Sequence, residues 1–475
     1  MKVFIINPPP EEEKLTVKDF DCNAYAKANF IIPQIGLAYI AAMIENKHDV
    51  KIIDCAAEGF SHNKLKKLCE SDKPDVCIVN TAIPSVKNDL RVSHYLKEID
   101  KEIRTIYVGP AAVTLTETVV SHPNVDFAIT GEPEYAVLEL LTYFEDNVAN
   151  VSDIPGIAFS RNNDIVFTEK RAPIENLDEL PFPAHHLLPL KKYIFPTIKR
   201  KPFTSVLSSR GCPYRCIYCY MPTLGKKYRY RSPRNVVDEI EYVVRDLGIR
   251  EIMFRDAEFT LKRERVIGIC KEILARNIDV IWQCEARADS VDFELLRLMK
   301  DAGCHLINFG VESGDERILK NVKKNISIES IERAFGWCDK LGIDTQAHFI
   351  FGLPGETKET IEKTIKFAKK LRPRYVSFNV ATPYPGTVFF DWLNERGLIK
   401  TFEWHLYDQS GYPVFDLPTL SAEEIWKGFQ RAYKEYYGMS YIVKELLRIR
   451  SLYELKKNIR LGINLFTKTL KRKRQ

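Results

Sequence analysis

The 475-residue sequence has no run of about 18 or more apolar residues, so no segment predicts a membrane-spanning helix. It also shows no secretory leader, because Met1–Ile6 continues directly into Asn7 and Pro8 without a cleavage region. Most of its 11 cysteines are isolated, which argues against a disulfide scaffold. The eight isolated cysteines are Cys22, Cys55, Cys69, Cys77, Cys270, Cys284, Cys304 and Cys338. We therefore expect a cytoplasmic protein in a reducing environment.

No G-x-G-x-x-G follows any predicted strand, which argues against nicotinamide or flavin binding. Short β-type runs alternate with amphipathic segments through the first third of the chain, a pattern that predicts a parallel sheet with helices on both faces. The predicted strands are 3–6, 50–53, 76–79, 106–108 and 127–129. Ligands of such sheets bind beyond the strand C-termini. The residues at those positions are Asn7, Asp54, Thr81, Gly109, Pro110 and Gly131.

Three cysteines, Cys212, Cys216 and Cys219, follow the apolar run 203–207 with the spacing C-x3-C-x2-C. Iron–sulfur cubes are usually held by four thiolates, so three close cysteines suggest a [4Fe–4S] cluster with one open iron. An open iron can chelate an amine and a carboxylate, which the amino-acid end of S-adenosylmethionine (SAM) provides. Tyr218 would then flank the adenine.

The alternatives for the cysteines are a disulfide or a structural zinc site, which requires four ligands. The nearest upstream histidines, His185 and His186, lie in a Pro-rich linker and are interpreted as surface residues. The cluster is therefore the favoured interpretation.

From Phe203 to about Val380 the strand-then-helix pattern repeats six times, which predicts a partial TIM-type barrel with its chemistry at the strand C-termini. The predicted strands are 203–208, 250–255, 279–284, 304–310, 346–351 and 375–380. Polar groups follow these strands, as a zwitterionic ligand with a ribose would require. They lie at 256–258, 285–289, 312–314, 352–356 and 382–387.

The cysteine loop and these strand ends resemble the radical SAM superfamily in the same order along the chain. The resemblance implies that a reduced cluster cleaves SAM to a 5′-deoxyadenosyl radical. It implies that Glu258 lies near the methionine amino group, Arg287 near its carboxylate and Glu312 near the ribose or amine. Gly352, within the segment 351–356, would lie close to the adenine.

The first third resembles the cobalamin (B12)-binding domain that precedes some radical SAM domains, through segments 33–41, 54–59, 108–110 and 130–134. This resemblance implies corrinoid contacts at Asn7, Thr81, Gly109, Pro110 and Gly131. One position departs from the pattern: Ala56 stands where D-x-H-x-x-G proteins carry the histidine that ligates cobalt. A scaffold that has lost its cofactor is the alternative.

The predicted fold is α/β and has four parts. They are a doubly wound, cobalamin-binding-like domain (1–145), a hairpin and Pro-rich connector (146–200), a partial (β/α)6 radical SAM barrel (201–385) and a helical, basic C-terminal region (386–475). Residues 441–475 carry eleven Lys or Arg and two Glu, a net charge of +9. A basic amphipathic helix there would suit an anionic membrane surface, whereas a helix packed on the barrel is the alternative. Nucleic-acid binding is disfavoured because few stacking aromatics alternate with the basic residues.

The resemblance favours a radical SAM enzyme that uses cobalamin to methylate an unactivated carbon. A cobalamin-associated radical cyclase or rearrangement is the second hypothesis, and a non-enzymatic B12 or iron sensor is the third. A methylthiotransferase is disfavoured because no second cysteine triad stands in the N-terminal domain. The expected partners are an electron donor of flavodoxin or ferredoxin type and an organic substrate, for which a lipid or membrane-held molecule is one candidate.

Overall fold

The computed structural model describes residues 1–11, 16–19, 22–25, 30–146, 150–162, 164–438 and 441. Two sheets of mainly parallel strands dominate it, and a connector between residues 168 and 202 joins them. This architecture confirms the predicted α/β class. The basic segment predicted to form an amphipathic helix after residue 441 lies outside the described residues.

The first sheet has seven strands in the order β4-β1-β5-β6-β7-β8-β9, and a separate two-stranded hairpin pairs β2 with β3. Its first five strands are parallel, and β8 and β9 extend it as an antiparallel hairpin. The strands are β1 (Lys2–Asn7), β2 (Thr16–Asp19), β3 (Cys22–Tyr25), β4 (Asp49–Asp54), β5 (Val76–Asn80), β6 (Arg104–Val108), β7 (Phe127–Ile129), β8 (Ile157–Arg161) and β9 (Asp164–Phe167). The helices are α1 (Ile35–Ile44), α2 (Cys55–Glu58), α3 (His62–Asp72), α4 (Val86–Ile99), α5 (Pro110–Thr114), α6 (Thr116–Val120) and α7 (Pro133–Asp146).

Helices cover both faces of this sheet. Val3 and Ile5 of β1 pack in one apolar cluster with residues of α1 and α7, whereas Phe4 and Ile6 pack in another with residues of α3 and α4. Successive side chains of a strand point to opposite faces, so a strand covered on both sides is apolar throughout. This is why the predicted strands appear as continuous apolar runs.

The second sheet has six parallel strands in the order β10-β13-β14-β15-β16-β17. Its strands, with the short pair β11 and β12, are β10 (Phe203–Val206), β11 (Ser209–Arg210), β12 (Arg229–Tyr230), β13 (Glu251–Phe254), β14 (Ile281–Ala286), β15 (Cys304–Glu312), β16 (Asp344–Phe351) and β17 (Tyr375–Val380). Its helices are α8 (Pro233–Arg245), α9 (Arg263–Ala275), α10 (Phe293–Asp301), α11 (Glu316–Asn321), α12 (Ile328–Leu341), α13 (Lys358–Leu371), α14 (Val388–Asn394) and α15 (Ala422–Tyr436). All six predicted strands are present.

Helix caps in this region follow the local sequence. Ser232 caps α8 through the backbone N–H of Asn235, and Pro233 takes the first helical position, where its missing N–H removes no hydrogen bond. Ser327 caps α12, which ends at Gly342 in the left-handed conformation. These caps fix where each helix starts and stops relative to the strand ends.

The connector contains one histidine, His185, whose burial we did not predict from the sequence. His185 is fully buried, with Nδ1 3.0 Å from Thr204 Oγ1 and Nε2 2.8 Å from Glu239 Oε1, so its interpretation as a surface residue was wrong. His186 lies on the surface beside Glu45. The Pro-rich composition gave no sign that the connector packs between the two sheets, which is a tertiary property.

None of the helices in the described ranges is long and apolar enough to cross a membrane. The seven isolated cysteines whose side chains are described, all except Cys22, are buried free thiols.

Candidate functional site

The three motif cysteines lie on one loop, residues 211–228, between the antiparallel partners β11 and β12. Gly211 opens the loop at φ +78°, where a Cβ atom would lie 2.1 Å from the carbonyl oxygen of Lys227, so only glycine fits. Cys212 is buried, and Cys216 and Cys219 are partly exposed. Among the described residues, no three His, Cys, Asp or Glu side chains are grouped to hold a single metal ion. A loop bearing three cysteine side chains fits a larger iron–sulfur cluster.

Arg287 lies next to this loop at the end of β14. Its guanidinium stacks 3.8 Å from the ring centre of Tyr214, donates two hydrogen bonds to Asp289 and a third, of 2.9 Å, to the carbonyl of Lys324. These partners fix the planar side chain before any ligand arrives. A fixed, buried arginine is suited to bind a carboxylate.

Glu312 and Lys324 form a buried ion pair of 3.0 Å between β15 and the turn after α11. Glu312 has φ +66° beyond an irregularity in the pairing of β15, an uncommon conformation for a non-glycine residue. A Cβ atom on Gly310 would lie 2.5 Å from Glu312 Oε1 and 2.7 Å from Lys324 Nζ, so glycine leaves space for the pair. Strain of this kind at a strand end is typical of a functional site.

Two further predicted SAM contacts, Tyr218 and Glu258, lie near the Glu312–Lys324 pair. Desolvation raises the pKa of Tyr218, and the nearby Glu312 carboxylate raises it further. Burial also raises the pKa of Glu258, whose Oε1 accepts hydrogen bonds from Thr260 at 2.6 Å and Ser290 at 3.0 Å. The structure thus brings Tyr218, Glu258, Arg287 and Glu312 together. Lys324, which we did not predict, lies among them, and nothing in its lysine-rich surroundings distinguishes it.

Gly352, the fifth predicted SAM contact, lies in a loop whose backbone is hydrogen-bonded to the buried side chain of Glu356. The Gly352 N–H donates to Glu356 Oε2 at 2.5 Å, and Gly352 has φ +88°. Glu356 is fully buried, and desolvation raises its pKa to about 8 despite the backbone N–H donors of Gly352 and Leu353. Its carboxyl group is therefore largely protonated at neutral pH.

We expect Glu356→Gln to remove a pH dependence of stability. A carboxyl whose pKa is raised by folding stabilises the protein fully below its unfolded pKa, and this stability is lost as pH rises towards 8. The free energy of unfolding of the parent chain should therefore fall by about 1.4 kcal/mol per pH unit across this range from this group alone. Thermal melts between pH 5 and 8.5 should show a shallower decline for the variant. An equal decline in both proteins would contradict the assignment.

A cavity of about 210 Å³ lies beside the third cysteine. Its lining combines the cysteine loop with Ile350 of β16, the end of β17 and the segment that follows β17. The lining includes Tyr218, Cys219, Tyr220, Asn379, Tyr384 and Gln409. Asn379 and Gln409 are neutral hydrogen-bonding residues that we did not predict to line a cavity. Gln409 lies in an irregular segment, and no sequence motif marks it.

The five predicted corrinoid contacts lie along the C-terminal edge of the first sheet. Asn7 and Thr81 are buried and hydrogen-bonded within the protein, Asn7 to Asp54 at 2.8 Å and Thr81 to Asp89 at 3.0 Å. Asp89 also pairs with Lys18 of β2. The side chains of Asn7 and Thr81 therefore stabilise this edge from within the protein and are not exposed to a ligand at its surface.

Gly109 and Gly131 are the more open positions of the same edge, whereas Pro110 between them in the chain is buried. A Cβ atom on Gly109, at φ +95°, would lie 2.4 Å from Asn80 Oδ1, so glycine permits the close turn that follows β6. No atom lies within 4 Å of a Cβ built on Gly131. The tight glycine turn and the open position at Gly131 fit a bulky planar group above the sheet edge.

Tyr220 connects the two halves of the site. It directly follows Cys219, its hydroxyl donates to the carbonyl of Pro110 at 3.0 Å, and it lies 2.7 Å from Thr114 Oγ1. Its ring packs against Tyr384 with 5.0 Å between centroids. The cysteine loop is therefore in direct contact with the C-terminal edge of the first sheet, where the predicted corrinoid contacts Asn7, Thr81, Gly109, Pro110 and Gly131 lie and which we call the corrinoid edge.

Two family models match the chain. Residues 24–141 match the B12 binding domain, and residues 206–368 match the radical SAM superfamily. An uncharacterized methyltransferase of Pyrococcus horikoshii is 32% identical over 439 residues, which are 92% of each chain. The chain belongs to the radical SAM family with a B12-binding domain.

Other relatives agree with this assignment. An anaerobic magnesium-protoporphyrin IX monomethyl ester cyclase of Rubrivivax gelatinosus is 29% identical over 79% of this chain and 68% of its own. Among solved structures, the cobalamin-dependent SAM radical enzyme OxsB matches with a TM-score of 0.74 over 98% of this chain and 72% of its own, at 17% identity. The radical SAM methyltransferase TsrM of Kitasatospora setae matches with a TM-score of 0.67 over 83% and 75%, at 19% identity. Both structural matches support the fold.

The chain is therefore a radical SAM enzyme, and its cofactors are a [4Fe–4S] cluster, SAM and cobalamin. It requires a reductant and acts on an organic substrate. The sensor hypothesis is set aside, since the family is one of enzymes.

Proposed function

We propose that this enzyme transfers a methyl group to an unactivated carbon of an organic substrate. The observation that supports the use of both cofactors in one reaction is the direct contact between the cysteine loop and the corrinoid edge through Tyr220. Methyl transfer of this kind needs both cofactors at one substrate. The relative from Pyrococcus horikoshii, named a methyltransferase and matched over 92% of this chain, supports the same reaction.

In this proposal Cys212, Cys216 and Cys219 hold the cluster. Glu258, Arg287 and Glu312 bind the amino-acid and ribose parts of SAM, while Tyr218 and Gly352 contact the adenine. When bound, the cluster supplies the electron that cleaves SAM, and cobalamin carries the methyl group. The chain itself orients these groups and keeps water out of a site whose carboxylates are buried.

At the corrinoid edge, Gly109, Pro110 and Gly131 would face the ring, and Asn7 and Thr81 would support it. Ala56 stands in place of the cobalt-ligating histidine. It lies in α2, the helix that begins directly after the buried Asp54. Asp54 caps α2 and accepts a hydrogen bond from Asn7, so the acid of the D-x-H-x-x-G pattern is kept for a structural reason. The chain would therefore hold corrinoid without a histidine from this loop.

A cyclase-like radical reaction is the second candidate, because a relative named as a cyclase matches 79% of this chain. Both reactions use the same cofactor arrangement, and they differ in what becomes of SAM. Methyl transfer gives S-adenosylhomocysteine besides deoxyadenosine, whereas the cyclase-like reaction gives no net methylation.

We further propose a flavodoxin- or ferredoxin-type protein as the electron donor. For the substrate we propose a lipid or other membrane-held molecule, on the basis of the +9 charge of residues 441–475. Binding to vesicles with and without anionic lipid tests the second point: the full chain should bind only the anionic vesicles, and a chain ending at residue 441 should not. Equal binding of both chains would contradict it.

The test of methyl transfer uses SAM with a CD3 group. Reduced, cobalamin-loaded enzyme is incubated with the aqueous and the lipid phases of an extract from cells that make this chain. We expect a CD3-labelled product, together with S-adenosylhomocysteine and deoxyadenosine, in one phase. Label in the lipid phase supports the membrane-held substrate, and label in the aqueous phase overturns it. Substrate-dependent deoxyadenosine without S-adenosylhomocysteine would favour the cyclase-like reaction.

A further inference from the structure

Two glutamates of the B12-binding domain form ion pairs with the two arginines that flank the cysteine loop. Glu132 and Glu134 follow β7 and stand at the start of α7. Arg210 and Arg229 are the paired residues of β11 and β12, one on each side of loop 211–228. All four side chains are at most 4% exposed.

The contacts at the two sides are specific. Arg229 donates to both carboxylate oxygens of Glu132, at 2.6 and 3.0 Å, and Arg210 donates to Glu134 Oε1 at 2.5 Å. Glu132 Oε1 also lies 3.7 Å from Arg210 Nη1, so the two pairs are joined. A two-pronged arginine–carboxylate contact fixes orientation as well as distance.

Each arginine is also tied to its surroundings. Arg229 donates to the carbonyl of Leu224, inside the cysteine loop, at 3.1 Å, and to that of Ile174, in the connector, at 2.7 Å. Glu132 Oε2 accepts from the Ile174 N–H at 2.8 Å. The guanidinium of Arg210 lies 5.0 Å from the ring centre of Tyr39 in α1. The cysteine loop, the connector and the first domain therefore share one buried network.

We propose that Glu132 and Glu134 are positioning residues that fix the distance and orientation of the cluster relative to the corrinoid edge. Glu132 directly follows Gly131, a predicted corrinoid contact, so one short segment borders the corrinoid edge and holds the cysteine loop. Tyr220, at the middle of the loop, provides a third contact with this edge. Removal of a carboxylate leaves a buried arginine uncompensated, and the loop should shift to relieve it.

The consequence for catalysis rests on the proposed methyl transfer. A shift of the cluster by about 1 Å can lower the rate of a positioned reaction by about 100-fold, whereas SAM cleavage needs only the cluster and the nearby SAM contacts. We expect Glu132→Gln to keep deoxyadenosine formation and to lower the ratio of methylated product to deoxyadenosine by about tenfold or more.

A magnetic measurement tests the positioning without any turnover. Cob(II)alamin and the reduced cluster are both paramagnetic, and the cluster speeds the relaxation of the cob(II)alamin signal to a degree that depends on their separation. We expect Glu132→Gln and Glu134→Gln to retain both cofactors and to change this relaxation rate, and Glu132→Asp, which keeps the charge, to change it less. An unchanged rate in both Gln variants would overturn the proposal.

Glu251→Gln is the matched control. Glu251 is fully buried and accepts hydrogen bonds from the Lys199 and Arg200 N–H groups and from His305, at the N-terminal end of the barrel strands. We expect Glu251→Gln to lose about as much thermal stability as Glu132→Gln and to leave the relaxation rate of the cob(II)alamin signal unchanged. An equal relaxation change in the control would assign the effect to general destabilisation and overturn the proposal. If Glu132→Gln does not fold, Arg229→Lys, which keeps the charge and loses the fork, replaces it with the same expected relaxation change.

The relaxation experiment also separates this proposal from the proposed function. If the parent enzyme forms no methylated product, methyl transfer fails, yet the relaxation rates still decide whether the two glutamates position the cluster.

Discussion

Cys216→Ala is expected to abolish formation of deoxyadenosine while corrinoid remains bound. The variant removes one of the three thiolates available on the loop, and a cluster that already lacks a fourth protein ligand should not assemble on two. Corrinoid should be retained because its predicted contacts lie on the first sheet. The measurement is iron and corrinoid content after anaerobic reconstitution, followed by quantification of deoxyadenosine.

Cys338→Ala serves as the control for Cys216→Ala. Cys338 is a buried thiol of α12 that packs in the apolar core, where a cysteine behaves as a small hydrophobic residue. Its replacement should leave iron content and deoxyadenosine formation unchanged. A Cys216→Ala protein that still cleaves SAM would refute the assignment of the cluster to this loop.

Arg287→Lys is expected to weaken SAM binding by about 10- to 100-fold, the loss of one or two charge-assisted hydrogen bonds. The variant keeps the positive charge but loses the planar group that stacks on Tyr214 and bonds to Asp289 and Lys324. Equilibrium dialysis of labelled SAM against the reconstituted protein measures the change, and iron content should stay at the parent value.

Arg263→Lys is the matched variant for Arg287→Lys. Arg263 also pairs with an aspartate, Asp292, through Nε at 2.8 Å, but both side chains are close to half exposed on the surface. Exposed ion pairs contribute little, so SAM binding should stay within about twofold of the parent value. Equal weakening by both variants would show that Arg287 acts through general stability and not through the carboxylate of SAM.

The sequence predicted best those features that are local. Every predicted strand is present, and the clearest are those covered on both faces, which are almost entirely apolar, as in β5, where all five residues are buried. The loop position of the three cysteines followed from the strand before them. Boundaries moved by up to two residues, as in β16, which starts at Asp344 and not at Gln346.

The features that the sequence did not reveal depend on contacts distant along the chain. Lys324 reaches Glu312 because α11 brings the chain back towards β15. The sequence gives no reason to choose Lys324 over the neighbouring Lys323 as the partner of a buried carboxylate. His185 is buried by Glu239, 54 residues later. Glu132 and Glu134 lie in segment 130–134, which resembles the B12-binding domain, yet their side chains bind Arg229 and Arg210 next to the cysteine loop.

Gly109→Val should separate the two cofactor sites. The added side chain meets Asn80 and the carbonyl of Thr81 at a positive φ, so the turn after β6 must move. We expect this variant to lose corrinoid but to keep iron and deoxyadenosine formation, because the three cysteines and the predicted SAM contacts lie on the barrel and its loop, and movement of this turn costs the loop only the contact of Tyr220 with Pro110. Loss of both cofactors would mean that the two sites do not form independently.

The most direct test of cobalamin-dependent catalysis by this chain is the corrinoid content per chain, measured by absorbance after anaerobic purification and reconstitution with added cobalamin. The structure predicts near-stoichiometric corrinoid in the parent chain and formation of S-adenosylhomocysteine from SAM only when corrinoid is present. Absence of corrinoid from a chain with a full cluster would contradict the account, and the first domain would then be a scaffold without its cofactor.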